Sequence, residues 1–169
     1  NYGQGGQAIR RWDEQTEYNE KGDLYKVHVA IIDEALAKIN KPTIDLLLWH
    51  QGEADSDDIW YELVNEEREI PDLTYYKAIK RVINQYRSKY GNNLPFIAGE
   101  CVSDNIPSRY NEFPYLCSCL NYLREADNDP YTQCADSELL DHDGLHFKAQ
   151  GHRDFGQRYY NRYKMIVEE

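Results

Sequence analysis

Apolar residues recur along this chain in two alternating patterns, helical spacing and short continuous runs. Residues 23–40 repeat apolar side chains every three or four positions, which predicts an amphipathic helix that ends before Pro42. The predicted inward face of this helix consists of Leu24, Val27, Ile31, Ala35 and Ile39. Residues 44–49 are almost wholly apolar and are bounded by polar residues, which is typical of a strand buried on both faces.

The same two patterns continue to the C-terminal end of the sequence. Residues 72–90 predict a second helix with Gly91 as its stop, and residues 94–100 predict a second buried strand. Two further helices are predicted over residues 111–126 and 148–167. The apolar sides of the second and last helices are formed by Tyr76, Ile79, Val82, Ile83, Tyr86 and Tyr90, and by Phe155, Tyr159, Tyr163 and Ile166.

This alternation of helices and buried strands predicts an α/β fold with a parallel sheet. Residues 56–71 are acidic and irregular, and we expect a loop with a helical turn there. The length of 169 residues predicts a single domain over residues 1–169. Because ligands bind beyond the carboxyl ends of parallel strands, the segments of interest are "WHQGEAD", "GECVSDN" and the loop that leads to "DGLHF".

Composition and charge narrow the range of partners. The formal net charge is -11, which argues against binding to nucleic acid or to anionic membrane surfaces. The sequence has no apolar run long enough to span a membrane. A neutral or weakly charged substrate fits better. The 15 Tyr could include contacts to a sugar, although we expect most of them to line the amphipathic helices.

The four Cys predict two disulfides and an oxidising compartment. Cys134 is expected to pair with Cys117 or Cys119, because the intervening segment is short enough to fold back, and Cys101 with the remaining one. Buried free thiols are the alternative, because connectivity cannot be derived from sequence. The Cys-Ser-Cys spacing is neither a redox motif nor a zinc motif.

Asp143 and His146 are candidates for acid–base chemistry just before the last helix. A carboxylate that orients an imidazole allows the ring to act as a general base. The structural alternative is a capping Asp with a surface His. A metal site formed by Asp141, His142, Asp143 and His146 is a weaker hypothesis, because adjacent loop residues rarely all point at one ion.

Two further segments could stabilise a developing negative charge. Gln51 follows the first predicted strand, and its amide N–H groups could donate to an oxyanion. Glu53 could instead cap the following helix. The segment "GQGG" at residues 3–6 is a flexible loop whose backbone N–H groups are unobstructed.

Taken together, "GQGGQAIRRW", "LLLWHQGEAD" and "DGLHFKAQGHRDFGQRYY" resemble the SGNH hydrolase superfamily. The resemblance is to the sialate O-acetylesterase and acetylxylan esterase-like carbohydrate esterases, and it covers residues 5–160. It implies a three-layer α/β/α sandwich of the flavodoxin-like type. It also implies a secreted serine esterase that removes O-acetyl groups from sialic acid or from a plant or microbial polysaccharide, without a metal or an organic cofactor.

The resemblance assigns roles to individual residues. It implies that His146 is the general base, that Asp143 orients it, and that the Gly6 backbone N–H and the Gln51 side chain bind the oxyanion. It implies for Glu53 and Trp12 a part in supporting the site loops or in contacting substrate.

The family's first block, a Gly-x-Ser-Asn-like turn that carries the nucleophile, has no counterpart here. None of the six serines, Ser56, Ser88, Ser103, Ser108, Ser118 and Ser137, lies on a Gly-flanked elbow. Cys101 and Ser103 follow a predicted strand and are weaker replacements. We therefore expect the first strand and the serine on a missing or separate N-terminal companion segment. The alternative is a catalytically inactive carbohydrate-binding or structural relative.

Overall fold

The computed structural model describes residues 5–102, 113–126 and 128–168. Within them, the helices longer than one turn are α1 (Asp23–Ile39), α2 (Ser56–Val64), α3 (Thr74–Tyr90), α4 (Phe113–Ala126) and α5 (Ala149–Val167). The strands are β1 (Leu47–Trp49), β2 (Phe96–Gly99) and β3 (Thr132–Ala135). In the described ranges, no helix is both long enough and apolar enough to cross a lipid bilayer.

The three strands form one parallel sheet in the order β1-β2-β3. Leu47 is opposite Phe96, and Ala98 is opposite Cys134. All three strands therefore end at the same edge, from which the segments beginning at His50 and Glu100 emerge. This edge is where the sequence predicts the ligand site.

Alternating side chains of the strands enter two separate cores. One core joins strand residues such as Trp49, Phe96 and Ala98 to side chains of α1, α3 and α4. The other joins Ile97 and Ala135 to side chains of α5. Helices therefore cover both faces of the sheet, and the predicted three-layer α/β/α architecture is confirmed.

The helix predicted over residues 23–40 is present, but its predicted inward face is wrong in part. Leu24 and Leu36 are buried, whereas Val27, Ile31 and Ile39 are 46%, 43% and 63% exposed. The buried side chains form a row that begins at Leu24 and continues every four residues. The predicted row, with spacings of three and four residues, passes through Val27 and is exposed. The buried row also contains apolar residues, Ile32 as well as Leu24 and Leu36, so the periodicity could not decide between the two rows.

The second and last helices follow their predicted patterns. All six apolar residues predicted for α3 are buried. In α5, Phe155 and Ile166 are buried, and Tyr159 and Tyr163 pack partly buried against the same core.

Two elements differ from the prediction. Residues 56–64 form the regular helix α2, where the sequence predicted a loop with a helical turn, and only Ser56 and Ile59 of this helix are buried. β3 was not predicted, because two of its four residues, "TQCA", are polar and no extended apolar run is present. Its sheet position comes from pairing with β2, which sequence periodicity does not show.

The predicted disulfides are wrong. Cys101, Cys117, Cys119 and Cys134 are all buried, and none of these four forms a disulfide. They behave as small apolar side chains of the core, which is common for free Cys. The Cys-based argument for an oxidising compartment therefore falls, and the prediction of secretion rests on the family resemblance alone.

Candidate active site

A cleft of about 390 Å³ opens at the carboxyl edge of the sheet. Its lining consists of Gly5, Gly6, Gln7, His50, Gln51, Glu53, Ala54, Leu145 and His146. These residues come from the three sequence blocks, one at the N-terminal end, one after β1 and one before α5. The structure thus places Gly6, Gln51 and His146 in a single cleft.

Asp143 and His146 are neighbours on the loop before α5. His146 Nδ1 and Asp143 Oδ2 are 3.9 Å apart, which is an ion-pair distance but too long for the expected hydrogen bond. Asp143 Oδ1 instead accepts hydrogen bonds from the backbone N–H groups of His146 (2.8 Å) and Leu145 (3.0 Å). These two bonds hold the pKa of Asp143 below its usual value.

The side chain of His146 is 76% exposed, so its ring is accessible from the cleft. The loop that carries it is closed by a backbone hydrogen bond from Asp143 N–H to the His146 carbonyl (3.0 Å). The carboxylate therefore orders the loop around the imidazole. A rotation of either side chain is needed before Asp143 can orient the ring directly.

Gln51 ties the N-terminal loop to the segment after β1. Its Nε2 group donates to the Gln7 carbonyl (2.8 Å) and to Asp55 Oδ2 (2.6 Å). Both amide hydrogens are thus engaged in this conformation. Gln51 therefore holds the loop next to the cleft. Its role as an oxyanion donor remains a prediction, because one of these two hydrogen bonds would have to be replaced by a bond to the oxyanion.

Asp55 is a site residue that the sequence interpretation did not assign. Its carboxylate is buried and accepts hydrogen bonds from the Ile9 backbone N–H (2.9 and 3.1 Å) as well as from Gln51. Burial raises the pKa of Asp55 to about 6, although the bonds from Gln51 and Ile9 act in the opposite direction. The available signal was its position as the last residue of the "WHQGEAD" block.

Two glycines shape the cleft. Gly6 adopts φ 66°, and a Cβ added there would meet no atom within 4 Å, so its backbone is open to a ligand. Gly52 adopts φ 147°, and a Cβ there would lie 2.5 Å from a Leu116 methyl carbon. The turn that separates Gln51 from Glu53 therefore requires glycine.

Trp12 lies in the core and does not line this cleft. Its ring packs edge-on against Trp49, with 5.2 Å between ring centroids, and against His28 at 5.8 Å. The adjacent Asp13 is fully buried and accepts hydrogen bonds from Arg81 Nε (2.9 Å) and Nη2 (2.7 Å). Of its two implied roles, the position of Trp12 fits support of the N-terminal segment.

Glu53 lines the cleft beside His50, whose Nε2 is 3.7 Å from Glu53 Oε1. Burial lowers the pKa of His50, and the nearby Glu53 partly offsets this effect. Cys101 lies behind this pair. Burial raises the pKa of its thiol well above the usual value, which is unfavourable for a nucleophile.

Four of the six serines fall in the described ranges, and none of these four lines the cleft. Ser56 Oγ donates to the Glu53 carbonyl (2.8 Å), and the buried Ser137 Oγ donates to the Cys101 carbonyl (2.6 Å). Ser118 is exposed on α4 and bonds to Pro114. Ser103 and Ser108 lie outside the described residues.

The weaker metal hypothesis for Asp141, His142, Asp143 and His146 has no convergent geometry. Asp141 pairs with Lys148 (3.0 Å), and His142 Nδ1 accepts a hydrogen bond from the Gly144 N–H (3.0 Å). In the part of the chain that the structure describes, the group with metal-ligand spacing is His50, Glu53 and Cys101.

A family model described as "Carbohydrate esterase, sialic acid-specific acetylesterase" matches residues 1–165 of the chain. No curated protein and no solved structure matches. The matched range contains all three sequence blocks that meet at the cleft.

Proposed function

Because the chain belongs to the carbohydrate esterase family of sialic acid-specific acetylesterases, we propose that it provides the base and the oxyanion site of a serine esterase acting on O-acetylated carbohydrate. The acetylated sugar is a sialic acid or a unit of a plant or microbial polysaccharide. The observation that carries this proposal is the meeting of Gly6, Gln51 and His146 at one cleft. A net charge of -11 is compatible with a neutral or weakly charged substrate.

In the proposed reaction, a serine hydroxyl attacks the acetyl carbonyl while His146 takes its proton. The Gly6 backbone N–H and a Gln51 N–H stabilise the oxyanion of the tetrahedral intermediate. Collapse of the intermediate breaks the ester bond, and His146 protonates the departing sugar oxygen. Water then attacks the acetyl-serine, again with His146 as base, and releases acetate.

The nucleophilic serine belongs, in this proposal, to a segment outside the given sequence. Support comes from the four described serines, none of which lines the cleft. Further support comes from apolar surface that such a segment would cover. Leu48 is 54% exposed on β1, the terminal strand of the described sheet, and α1 exposes Val27, Ile31 and Ile39.

The first test uses the native protein. Intact mass and N-terminal sequencing show whether a longer chain or a companion fragment with a Gly-x-Ser-Asn-like turn accompanies residues 1–169. The complete protein is then assayed with 4-nitrophenyl acetate and with O-acetylated sugars. We expect His146→Ala to lower kcat at least about 100-fold, the lower range for a positioned base.

His152→Ala is the matched control, because His152 is exposed on α5 and does not line the cleft. Its kinetics should stay close to those of the unmodified protein. Equal losses in both variants would contradict the role of His146.

The second candidate is an inactive carbohydrate-binding relative. It is favoured by the 3.9 Å separation of His146 and Asp143 and by the engagement of both Gln51 amide hydrogens. If the complete protein carries the serine, binds acetylated sugars in calorimetry and hydrolyses neither ester, this second function is preferred.

A further inference from the structure

Three side chains with different donor atoms converge beside the cleft. His50 and Glu53 follow β1, and Cys101 follows the neighbouring strand β2. One donor atom from each of them, a ring nitrogen, a carboxylate oxygen and a sulfur, lies within 4.8 Å of the others. The meeting of these side chains results from parallel strands that end at one edge.

The donor set matches the chemistry of a thiophilic divalent cation. Zn²⁺ binds imidazole nitrogen, carboxylate oxygen and thiolate sulfur in a tetrahedral arrangement, and its ligand atoms then lie roughly 3.4–3.6 Å apart. The 3.7 Å between His50 Nε2 and Glu53 Oε1 is already close to this value. A small approach by the sulfur would complete the three-ligand set.

The surroundings of His50 hold its ring in place for such a role. The ring centroid lies 5.9 Å from that of Phe147 and 5.6 Å from that of Phe155. The ring also lies beside the Gly99 backbone, which acts to raise the pKa of His50. A His ligand that donates its other N–H to a carbonyl is the usual arrangement in metal sites.

Glu53 links the other two groups. It faces His50 Nε2 on one side, and the Cys101 sulfur lies within 4.8 Å of its carboxylate on the other. His50 and Glu53 both line the cleft, whereas Cys101 is 1% exposed. A cation held by the three would therefore be anchored on the buried side and open to the cleft on the other.

We propose that His50, Glu53 and Cys101 form a binding site for a thiophilic divalent cation of the Zn²⁺ class, with its fourth coordination position directed into the cleft. Binding forms the metal–sulfur bond as the thiol proton leaves to solvent. The neutral imidazole and the carboxylate bind without further change of charge. A water molecule or a small anionic ligand takes the fourth position.

The site has a consequence that rests on the proposed esterase function. A cation at His50 and Glu53 lies in the same cleft as Gly6, Gln51 and His146. Its fourth ligand would compete with the acyl group for that space. In the complete enzyme, Zn²⁺ therefore inhibits ester hydrolysis, and loss of the cation site relieves this inhibition without removing the catalytic groups.

The test of binding does not depend on activity. The chain is freed of metal with a chelator, kept reduced and titrated with Co²⁺, whose spectrum reports its ligands. We expect one ion per chain, with the strong visible bands of four-coordinate Co²⁺ and a near-ultraviolet sulfur-to-cobalt band. Added Zn²⁺ should remove these bands by displacement.

Cys101→Ala should abolish the sulfur-to-cobalt band and weaken Zn²⁺ binding at least about tenfold, because even the loss of an outer-shell partner costs roughly 10–100-fold in metal affinity. Cys119→Ala is the matched control, since it also removes a buried free thiol but leaves the cluster intact. Thermal unfolding checks that both variants fold. If Cys101→Ala does not fold, Glu53→Gln must weaken binding in its place.

A sulfur band that persists in Cys101→Ala would overturn the site, as would a weak octahedral Co²⁺ spectrum in the unmodified chain. Loss of Co²⁺ binding in His146→Ala with retention in Cys101→Ala would instead place the ion on the exposed loop before α5. If Co²⁺ binds as expected and the complete protein has no esterase activity, the cation site stands and only the proposed esterase function fails.

Discussion

At the scale of single residues, the cleft depends on a carboxylate that does not line it. Asp55 holds the Ile9 backbone N–H and the Gln51 amide at once, so one buried group joins the N-terminal loop to the segment after β1. Gln51 in turn holds the Gln7 carbonyl next to Gly6. The position of the predicted oxyanion donors therefore depends on Asp55.

We predict that Asp55→Ala lowers kcat of the complete esterase about tenfold or more, with a smaller effect on KM, because misplaced donors weaken transition-state binding. The variant also leaves the buried Ile9 N–H unpaired, which costs roughly 1–3 kcal/mol of stability. Steady-state kinetics and urea unfolding measure the two effects. Asp57→Ala is the control, because Asp57 is an exposed carboxylate at the start of α2. Equal kinetics in the two variants would contradict the positioning role of Asp55.

Gly6, Gln51 and His146 could be assigned from the sequence because each lies in a block with a recognisable order of residues. Asp55 was not assigned to the site, and Cys101 was considered only as a weak replacement for the nucleophile, because their partners are distant in sequence. The bonds from Asp55 to Ile9 span 46 positions, and Cys101 meets Glu53 only because β1 and β2 are neighbours. Such contacts follow from the fold and not from local spacing.

At the scale of secondary structure, helices with one clear apolar face could be predicted, whereas short or two-sided elements could not. α3 buries all its predicted residues, whereas α5 buries Phe155 and Ile166 and partly buries Tyr159 and Tyr163. α1 carries apolar residues on two rows, and the row through Leu24 and Leu36 is the one that joins the core. β3 depends on pairing with β2 and on the packing of α4 and α5, neither of which is visible in a four-residue segment.

The turn before β3 is held to α3 by an ion pair. Arg87 contacts Asp129 through Nη1 and also donates to the Leu94 carbonyl (3.1 Å). Asp129 further accepts hydrogen bonds from the Tyr131 N–H (2.9 Å) and the Thr132 hydroxyl (2.8 Å). Burial acts to raise the pKa of Asp129, but the bonds from Arg87, Thr132 and Tyr131 together lower it.

We predict that Asp129→Asn destabilises the protein by about 1–2 kcal/mol at about pH 7, since it weakens hydrogen bonds to a partly buried carboxylate. The folded-state pKa lies below the unfolded value of 3.8, so this stabilisation is present above that value and is lost as the pH falls through the folded-state pKa. Urea unfolding between about pH 7 and about pH 3 should show the difference between the two proteins shrink. Asp45→Asn is the control, because it removes an exposed ion pair with Lys41 and should change stability little at any pH. If the stability difference between Asp129→Asn and the unmodified protein does not depend on pH, this account is contradicted.

At the scale of the whole molecule, the described part of the chain leaves apolar surface next to an open sheet edge. β1 is the terminal strand of the described sheet, and its Leu47 N–H bonds toward the Pro95 carbonyl on the β2 side. In a parallel ladder, the backbone groups of the next residue, Leu48, then point away from β2. A further strand could pair with this edge and pack beside the exposed Leu48 side chain, which fits the proposal of an upstream segment.

Substitution of Leu48 tests this idea without reference to catalysis. In the given chain, Leu48→Glu should change the free energy of unfolding by less than about 0.5 kcal/mol, because the side chain is 54% exposed. In the complete protein, the same change should cost about 2 kcal/mol or more if an added segment buries this position, since a charge would then replace a buried Leu. Leu139→Glu, at a position that is 83% exposed on the loop after β3, should have an equally small effect in both forms. Urea unfolding of the two variants in both forms measures these differences. A Leu48→Glu effect that is equally small in both forms would show that no segment covers this part of β1.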